Sequence, residues 1–172
     1  VPGLTEEERQ RWLAEVKVLK AFYHFWLLRM YGPIPIIRDN LYVGVSLEET
    51  QVARNSVDEV IEYIVELIDE VFESEALPGI ISYIYTEQGR ITLPIAKAIK
   101  AKALVLAASP IFNGNTDFNE LIDNDGNFLV NQTYDPNKWI LAKDALLDAI
   151  ISAEGNGHGL YEFTTQIPIN GE

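Results

Sequence analysis

Apolar residues recur every three or four positions near the start of the chain, which is the spacing of one face of an α-helix. One stripe of this kind is formed by Trp12, Val16, Leu19, Tyr23, Trp26 and Met30. A second stripe, on the other side of the same helix, is formed by Val18, Phe22, Phe25 and Leu28. Only a narrow polar edge separates them, made by Lys17, Lys20 and His24. The pattern predicts a central helix that is buried on both sides.

Local signals mark both ends of this helix. Thr5 and Glu8 have the spacing of a capping box, in which two side chains satisfy free backbone N–H groups. Gly32 suits a left-handed C-terminal cap, and the prolines at Pro33 and Pro35 cannot continue a helix. We therefore expect a helix over Glu6–Tyr31. Its longest apolar run covers only residues 25–28, whereas a membrane span needs about 20 apolar residues.

A second capping box, Ser56 with Glu59, begins a second helix that is expected to end near Pro78. Its apolar face is formed by Val57, Val60, Ile61, Ile64, Leu67, Ile68, Val71 and Phe72. Its other side is acidic throughout, with Asp58, Glu59, Glu62, Glu66, Asp69, Glu70, Glu73 and Glu75. Two neighbouring carboxylates can form an acid–base pair or a metal site, but no histidine supports them, so we interpret them as a solvated surface.

Two more helices follow. The third is rich in alanine and is predicted to begin after Thr92 and to stop at Pro110, so that a partner helix can approach it closely. The fourth is predicted to begin with Asp135 as its N-cap and Pro136 in its first turn, and to stop at Gly155.

The segment between the second and third helices alternates isoleucine and tyrosine over residues 80–85. Alternation of this kind is typical of a half-buried strand, but the segment is short enough to be an extended loop. Both interpretations stay open from the sequence.

Residues 123–127, DNDGN, invite comparison with a calcium-binding loop. With Gly126 at the glycine position of such a loop, an acid would have to stand at Leu121 and a glutamate at Gln132, so the match fails. A hairpin turn around Asp125 and Gly126 is the better interpretation, and it would join residues 118–122 to 128–131.

Four helices with small residues between aromatic ones predict an all-α fold of tetratricopeptide-like helical hairpins, with one small β-hairpin. Strict repeats of that type have a period of 34 residues and short turns. Here two of the connections are about 25 residues long, which is unusual for structureless links in a compact domain. The chain of 172 residues is therefore expected to be a single helical-repeat domain, residues 1–172, with long inserted loops.

Charge and composition exclude several kinds of partner and site. The net charge is −13, which argues against nucleic acid or an anionic membrane surface as the main partner. The absence of cysteine excludes a disulfide, a thiol nucleophile or a thiolate metal site. His24 is expected to make a hydrogen bond, and His158 has no companion ligand nearby in sequence, so neither predicts a metal site. We expect no cofactor, no metal and no catalytic residue.

Four segments of the chain together resemble the SusD/RagB family, and their order and spacing match it over nearly the whole chain. They are residues 20–35 (KAFYHFWLLRMYGPIP), 54–60 (RNSVDEV), 100–114 (KAKALVLAASPIFNG), and 138–145 (KWILAKDA) followed by 159–161 (GLY). The resemblance implies an all-helical tetratricopeptide-like scaffold, in agreement with the helix pattern.

The resemblance also implies a function and a place in the cell. Members of the family are lipid-anchored proteins on the outer face of the outer membrane of Bacteroidetes, where they bind glycans or peptides for polysaccharide utilization. They act as a lid over a SusC-like, TonB-dependent transporter, which is thus the expected partner. Family members are longer and carry a signal peptide and a lipidated cysteine, so this chain, which opens with Val1-Pro2-Gly3, is expected to be a fragment.

The four matching segments belong to the scaffold, so the resemblance implies a fold and not the positions of ligand contacts. Within the chain, Tyr83 and Tyr85 lie on the least regular apolar segment, and an exposed aromatic ring can stack on the flat face of a pyranose. Buried packing is the simpler account of both residues, and Tyr42 has the same ambiguity. We take these three tyrosines as candidate ligand contacts, and we expect Trp12, Trp26 and Trp139 to lie in the core.

Three functions compete at this point. The first is non-catalytic capture of a glycan and its delivery to the transporter. The second is a helical-repeat scaffold that binds a protein partner, with no small ligand in this region. The third is a glycoside hydrolase, which needs paired carboxylates, and the acidic residues here lack the apolar setting that would raise a pKa.

Overall fold

The structure is a computed structural model that describes residues 3–161. Within that range the chain forms five α-helices and one turn of 3₁₀ helix. The helices are α1 (Glu6–Tyr31), α2 (Val57–Ser74), α3 (Ile84–Glu87), α4 (Leu93–Ala108) and α5 (Asn137–Gly155), and the 3₁₀ turn is Thr116–Phe118. The predicted all-α fold is confirmed, and α1 has the predicted bounds.

Both predicted capping boxes are present. The Thr5 hydroxyl accepts from the backbone N–H of Glu8 at 3.2 Å, and Ser56 accepts from the N–H of Glu59 at 3.3 Å. Gly32 ends α1 at a φ of +70°, which favours glycine, but its ψ of −136° differs from the left-handed helical cap that was predicted. Helix α2 ends earlier than predicted, at Ser74, because Glu75 turns into the left-handed conformation.

The core is built around α2, which packs against α1 on one side and α4 on the other, while α4 in turn packs against α5. The apolar face of α2 is buried as predicted, apart from the half-buried Phe72. Helix α1 contributes the stripe that contains Val18, Phe25 and Leu28, and α4 contributes small residues. The buried alanines of α4 are Ala96, Ala101, Ala103, Ala107 and Ala108.

The prediction that α1 is buried on both sides is wrong for the described residues. Only its Val18 stripe faces α2, and its other stripe lies largely open to solvent. Trp12 and Trp26 are 46% and 41% exposed, and Trp139 on α5 is 43% exposed, so none of the three tryptophans is a core residue among residues 3–161. The reason is that helical spacing shows which residues share a face but not whether another element covers that face.

The two irregular segments also have defined structures. Residues 80–85 form no strand, because the N–H groups of Thr86 and Glu87 bond to the carbonyl of Tyr83 and begin the single turn of α3. The predicted hairpin is present in reduced form, as one antiparallel bridge between Ile122 and Phe128. Its turn is held by the carboxylate of Asp123, which accepts from the N–H groups of Asp125 and Asn127 at 2.9 and 2.8 Å.

Candidate functional site

Tyr42 lies on the inserted loop between α1 and α2 and is 85% exposed. The loop turns at this point, since the carbonyl of Tyr42 accepts from the N–H of Val45 at 3.2 Å. Further along, Ser46 and Glu49 exchange side-chain and backbone hydrogen bonds of 2.8 and 3.3 Å, as in the first turn of a helix. The loop therefore has local order of its own and presents the ring of Tyr42 to solvent.

Tyr83 and Tyr85 lie at the start of α3, and both rings are exposed, Tyr83 by 72% and Tyr85 completely. The simpler explanation from the sequence, packing of both rings in a half-buried strand, is wrong. No tyrosine among Tyr42, Tyr83 and Tyr85 stacks on another aromatic ring within the described residues. The three rings are thus open aromatic surfaces on two separate loops.

A cluster of two arginines and two glutamates holds the α3 segment against α1. Arg90 reaches Glu15 on α1 with hydrogen bonds of 2.9 and 3.1 Å, and it also reaches Glu87 at 3.0 Å. Arg11 on α1 completes the cluster by bonding Glu87 at 2.9 Å. The hydrogen bond with Glu15, with a smaller effect from Glu87, holds the pKa of Arg90 above its ordinary value. All four side chains are largely buried, so the cluster fixes the base of the segment that carries Tyr83 and Tyr85.

Sequence reasoning missed this Arg–Glu cluster, although two signals were available. Arg11 and Glu15 are four residues apart on a predicted helix, and Glu87 and Arg90 are three residues apart in a segment that has no other charges. Each pair is ordinary alone. What the sequence does not disclose is that the two pairs, more than 70 residues apart, meet.

The acidic side of α2 lies at the surface as predicted, but it is more than a solvated face. Four of its carboxylates pair with bases from other parts of the chain, at N–O distances from 2.5 to 3.2 Å. The pairs are Lys17 with Glu70, Arg38 with Glu66, Lys100 with Asp69, and Lys138 with Asp58. Because these bases lie far away in sequence, the helix pattern alone shows only unpaired acids.

A polar cleft of about 510 Å³ lies between this side of α2 and the two ends of the inserted loop. Helix α2 lines it with Glu59, Glu62, Tyr63 and Glu66, and the loop ends line it with Ile36, Arg38 and Asn55. We call it the Tyr63 cleft.

Hydrogen bonds hold the two loop ends together beside the Tyr63 cleft. The amide oxygen of Asn55 accepts from the N–H of Ile36 at 2.9 Å, and the N–H of Asn55 bonds to the carbonyl of Ile34 at 3.0 Å. Lys20 on α1 donates to the carbonyl of Arg38 at 2.6 Å. The loop that carries Tyr42 therefore leaves and rejoins the scaffold at this cleft.

The two histidines make no metal site with their neighbours in the described part of the chain. One ring nitrogen of His24 lies 2.8 Å from the carbonyl of Lys20, which is the hydrogen bond expected of it, and the ring packs edge-on against Tyr63. Among residues 3–161, no three acidic or histidine side chains converge as metal ligands would. None of the helices in that range has the length and apolar content needed to cross a membrane.

Comparison with solved structures relates this scaffold to known proteins. The structure of BT4246 superimposes with a TM-score of 0.79 and 34% sequence identity, over 88% of this chain and 26% of that one. The selenomethionine form of BT4246 gives a TM-score of 0.75 at the same identity, over 90% of this chain and 25% of the other. No protein-family model matches the chain, and no curated protein is significantly similar to it.

A third similar structure belongs to a protein that is named as SusD-like. It is that of a SusD-like protein, BF3747, from Bacteroides fragilis NCTC 9343, which is 25% identical with a TM-score of 0.53 over 62% of this chain. The fold is SusD-like. The present chain spans about a quarter or less of the length of each of these SusD-like and BT4246 structures, 19% in the case of BF3747.

Proposed function

We propose that this chain is the helical scaffold of a SusD/RagB-family lipoprotein that captures glycans at the outer surface of the outer membrane, without catalysis. The observation that carries the proposal is the shared fold with a SusD-like protein, together with 34% identity to BT4246 over 88% of this chain. In this function the protein passes oligosaccharides to a SusC-like, TonB-dependent transporter.

The exposed tyrosines support glycan capture, because each offers a flat apolar face to a pyranose ring. The Arg–Glu cluster fixes the base of the segment that carries Tyr83 and Tyr85, so little conformational freedom of that segment is lost when a ligand binds. Tyr42 lies on the inserted loop between α1 and α2, which is the kind of position where binding residues concentrate.

Affinity electrophoresis against plant, host and microbial polysaccharides tests this function. We expect retardation by one class of polysaccharide, weaker retardation in the double variant Tyr83→Ala/Tyr85→Ala, and no release of sugar. Tyr31→Ala is the matched control, because Tyr31 is a similarly exposed ring at the end of α1. Hydrolysis of the retained polysaccharide, or retardation by none, would contradict the proposal.

The second candidate function is a scaffold that binds a protein, and the uncovered face of α1 favours it. Trp12, Val16, Tyr23, Trp26 and Met30 together form a continuous apolar surface along the helix. If this face binds the transporter, Tyr23→Asp will abolish co-purification of the candidate transporter in detergent and leave polysaccharide retardation intact. Unchanged co-purification would remove this support.

A further inference from the structure

Within residues 3–161 the hydroxyl group of Tyr63 has no hydrogen-bond partner, although the side chain is only 3% exposed. The hydroxyl oxygen is nevertheless accessible to solvent. Because Tyr63 lines the Tyr63 cleft, we infer that solvent or a ligand reaches the hydroxyl through this cleft. It is thus a solvent-accessible polar group without a protein partner, on a residue that lines the cleft.

Three side chains pack around the ring of Tyr63. The guanidinium of Arg38 lies over the ring, 4.7 Å from its centre, and the ammonium of Lys20 lies 5.5 Å from the same point. The His24 ring meets it edge-on at 5.2 Å. A hydroxyl fixed by three contacts to its ring needs little reorganisation before it bonds to a ligand.

The other residues that line the cleft are mostly hydrogen-bond acceptors, the carboxylates of Glu59, Glu62 and Glu66. Arg38 and Asn55 can donate hydrogen bonds, and Ile36 is apolar. Glu62 has no hydrogen-bond or ion-pair partner in the described part of the chain, whereas Glu66 is paired with Arg38 at 3.2 Å. Glu59 accepts from the hydroxyl and N–H of Ser56, which holds its pKa below the ordinary value and keeps it charged at neutral pH. The three carboxylates outnumber the two nearby cations, the Arg38 guanidinium and the Lys20 ammonium, so the surroundings of the cleft carry a net negative charge of one.

We propose that the Tyr63 cleft is a binding site for a non-acidic sugar, whose hydroxyl groups donate to Glu62 and bond to the Tyr63 hydroxyl while its C–H face lies against Ile36. A cleft of about 510 Å³ is within the roughly 300–1,000 Å³ usual for small-ligand sites. Its negative charge opposes uronic acids, since like charges brought together at a site cost free energy. The inference rests on the proposed glycan capture for its class of ligand, but it places the ligand in a cleft separate from the exposed tyrosines.

The test is calorimetric titration of the chain with neutral hexasaccharides of glucose, mannose, galactose and xylose, and with a hexasaccharide of galacturonic acid. We expect at least one neutral probe to bind and the acidic probe to bind at least tenfold more weakly. Tyr63→Phe removes only the hydroxyl, so it should weaken the neutral probe about tenfold, as expected for one hydrogen bond, and leave the melting temperature unchanged. Tyr23→Phe, which removes an exposed hydroxyl on α1, is the control.

Glu62→Gln provides a second variant, since it keeps the shape of the side chain and removes its charge. It should weaken the neutral probe several-fold, whereas Glu73→Gln, farther along α2 and outside the cleft, should not. A neutral probe that binds Tyr63→Phe and Glu62→Gln as tightly as the unaltered chain overturns the cleft and leaves glycan capture standing. Tighter binding of the acidic probe also overturns the cleft. Binding of none of the five probes counts against glycan capture and the cleft together.

Discussion

Arg90 holds Glu15 through two parallel hydrogen bonds, of 2.9 Å from Nε and 3.1 Å from Nη2, across 75 residues of sequence. This is the forked geometry in which a guanidinium matches a carboxylate, and it is stronger than a single charged contact. It ties the α3 segment, with two of the three exposed tyrosines, to the first helix of the scaffold.

Arg90→Ala is therefore expected to destabilise the chain by about 2 kcal/mol, because it removes charged hydrogen bonds to two largely buried carboxylates. Arg90→Lys keeps the positive charge but cannot form the two parallel hydrogen bonds, so it should lower the stability by less than Arg90→Ala does. Urea unfolding measures both. Arg9→Ala is the control, since Arg9 pairs with Glu6 on the solvent-exposed surface, and it should change stability by less than about 0.5 kcal/mol. Equal losses for Arg90→Ala and Arg9→Ala would show that the cluster is not structural.

The helices of this fold could be predicted from the sequence because their signals are local. Each capping box lies within four residues, and the buried face of α2 follows directly from the spacing of Val57, Val60, Ile64 and their neighbours. Asp135 shows the limit of such precision: its carboxylate does accept from the N–H of Asn137 at 2.9 Å, but the helix itself begins one residue later than expected.

The candidate sites could not be predicted in the same way, because they depend on contacts between distant segments. The sequence showed alternating Ile and Tyr near Tyr83, but not that the Arg–Glu cluster would fix this segment as a turn with both rings outward. No local motif of the sequence singles out Tyr63 as a binding residue. Only the approach of Arg38 and Asn55 from the loop ends makes Tyr63 part of the lining of a cleft.

A second prediction concerns Gly114, in the turn after α4. Its φ is +79°, and a Cβ added there would lie 2.7 Å from the backbone nitrogen of Tyr134, so both conformation and space require glycine. Gly114→Ala should cost about 3 kcal/mol, from left-handed strain and from overlap. Gly126→Ala is the control, because Gly126 has a φ of +85° but open space around it, and it should cost only about 1 kcal/mol. Similar unfolding midpoints in urea for the two variants would contradict the close approach.

A third prediction separates the ion pairs of α2 by burial. Lys138 reaches Asp58 at 2.5 Å and is mostly buried, and Asn131 also donates to Asp58 at 3.3 Å. Lys138→Met should therefore cost about 2 kcal/mol, because it strands a carboxylate that has lost its charged partner. Lys17→Met breaks an equally short pair with Glu70 that is half exposed, and it should cost less than about 1 kcal/mol. The melting temperatures of the two variants test this prediction. If Lys17→Met lowered the melting temperature more than Lys138→Met, burial would not set the strength of these ion pairs.

The last prediction concerns the capping box of α2 and acid. The hydroxyl of Ser56 first, and its backbone N–H second, hold the pKa of Glu59 below its ordinary value. A carboxyl whose pKa is lower in the folded chain than in the unfolded chain stabilises the fold at every pH above its unfolded pKa, which is about 4.3 for glutamate. That contribution is lost as the pH falls from there through the pKa of the folded chain. Glu59→Gln should thus lower stability at pH 7, and the difference from the unaltered chain should shrink as the pH falls and the glutamate takes up its proton.

Urea unfolding of the unaltered chain and of Glu59→Gln, from pH 7 down to about pH 3, measures this difference directly. Ser56→Ala should remove about 1 kcal/mol at neutral pH, since it deletes the N-cap, and adding Glu59→Gln to it should cost less than Glu59→Gln costs alone. Glu73→Gln is the matched control, because it removes the same charge from the same helix at a position without a hydrogen-bond partner among the described residues. A gap between the unaltered chain and Glu59→Gln that stays constant over the whole pH range would mean that the charge of Glu59 contributes nothing to this helix start.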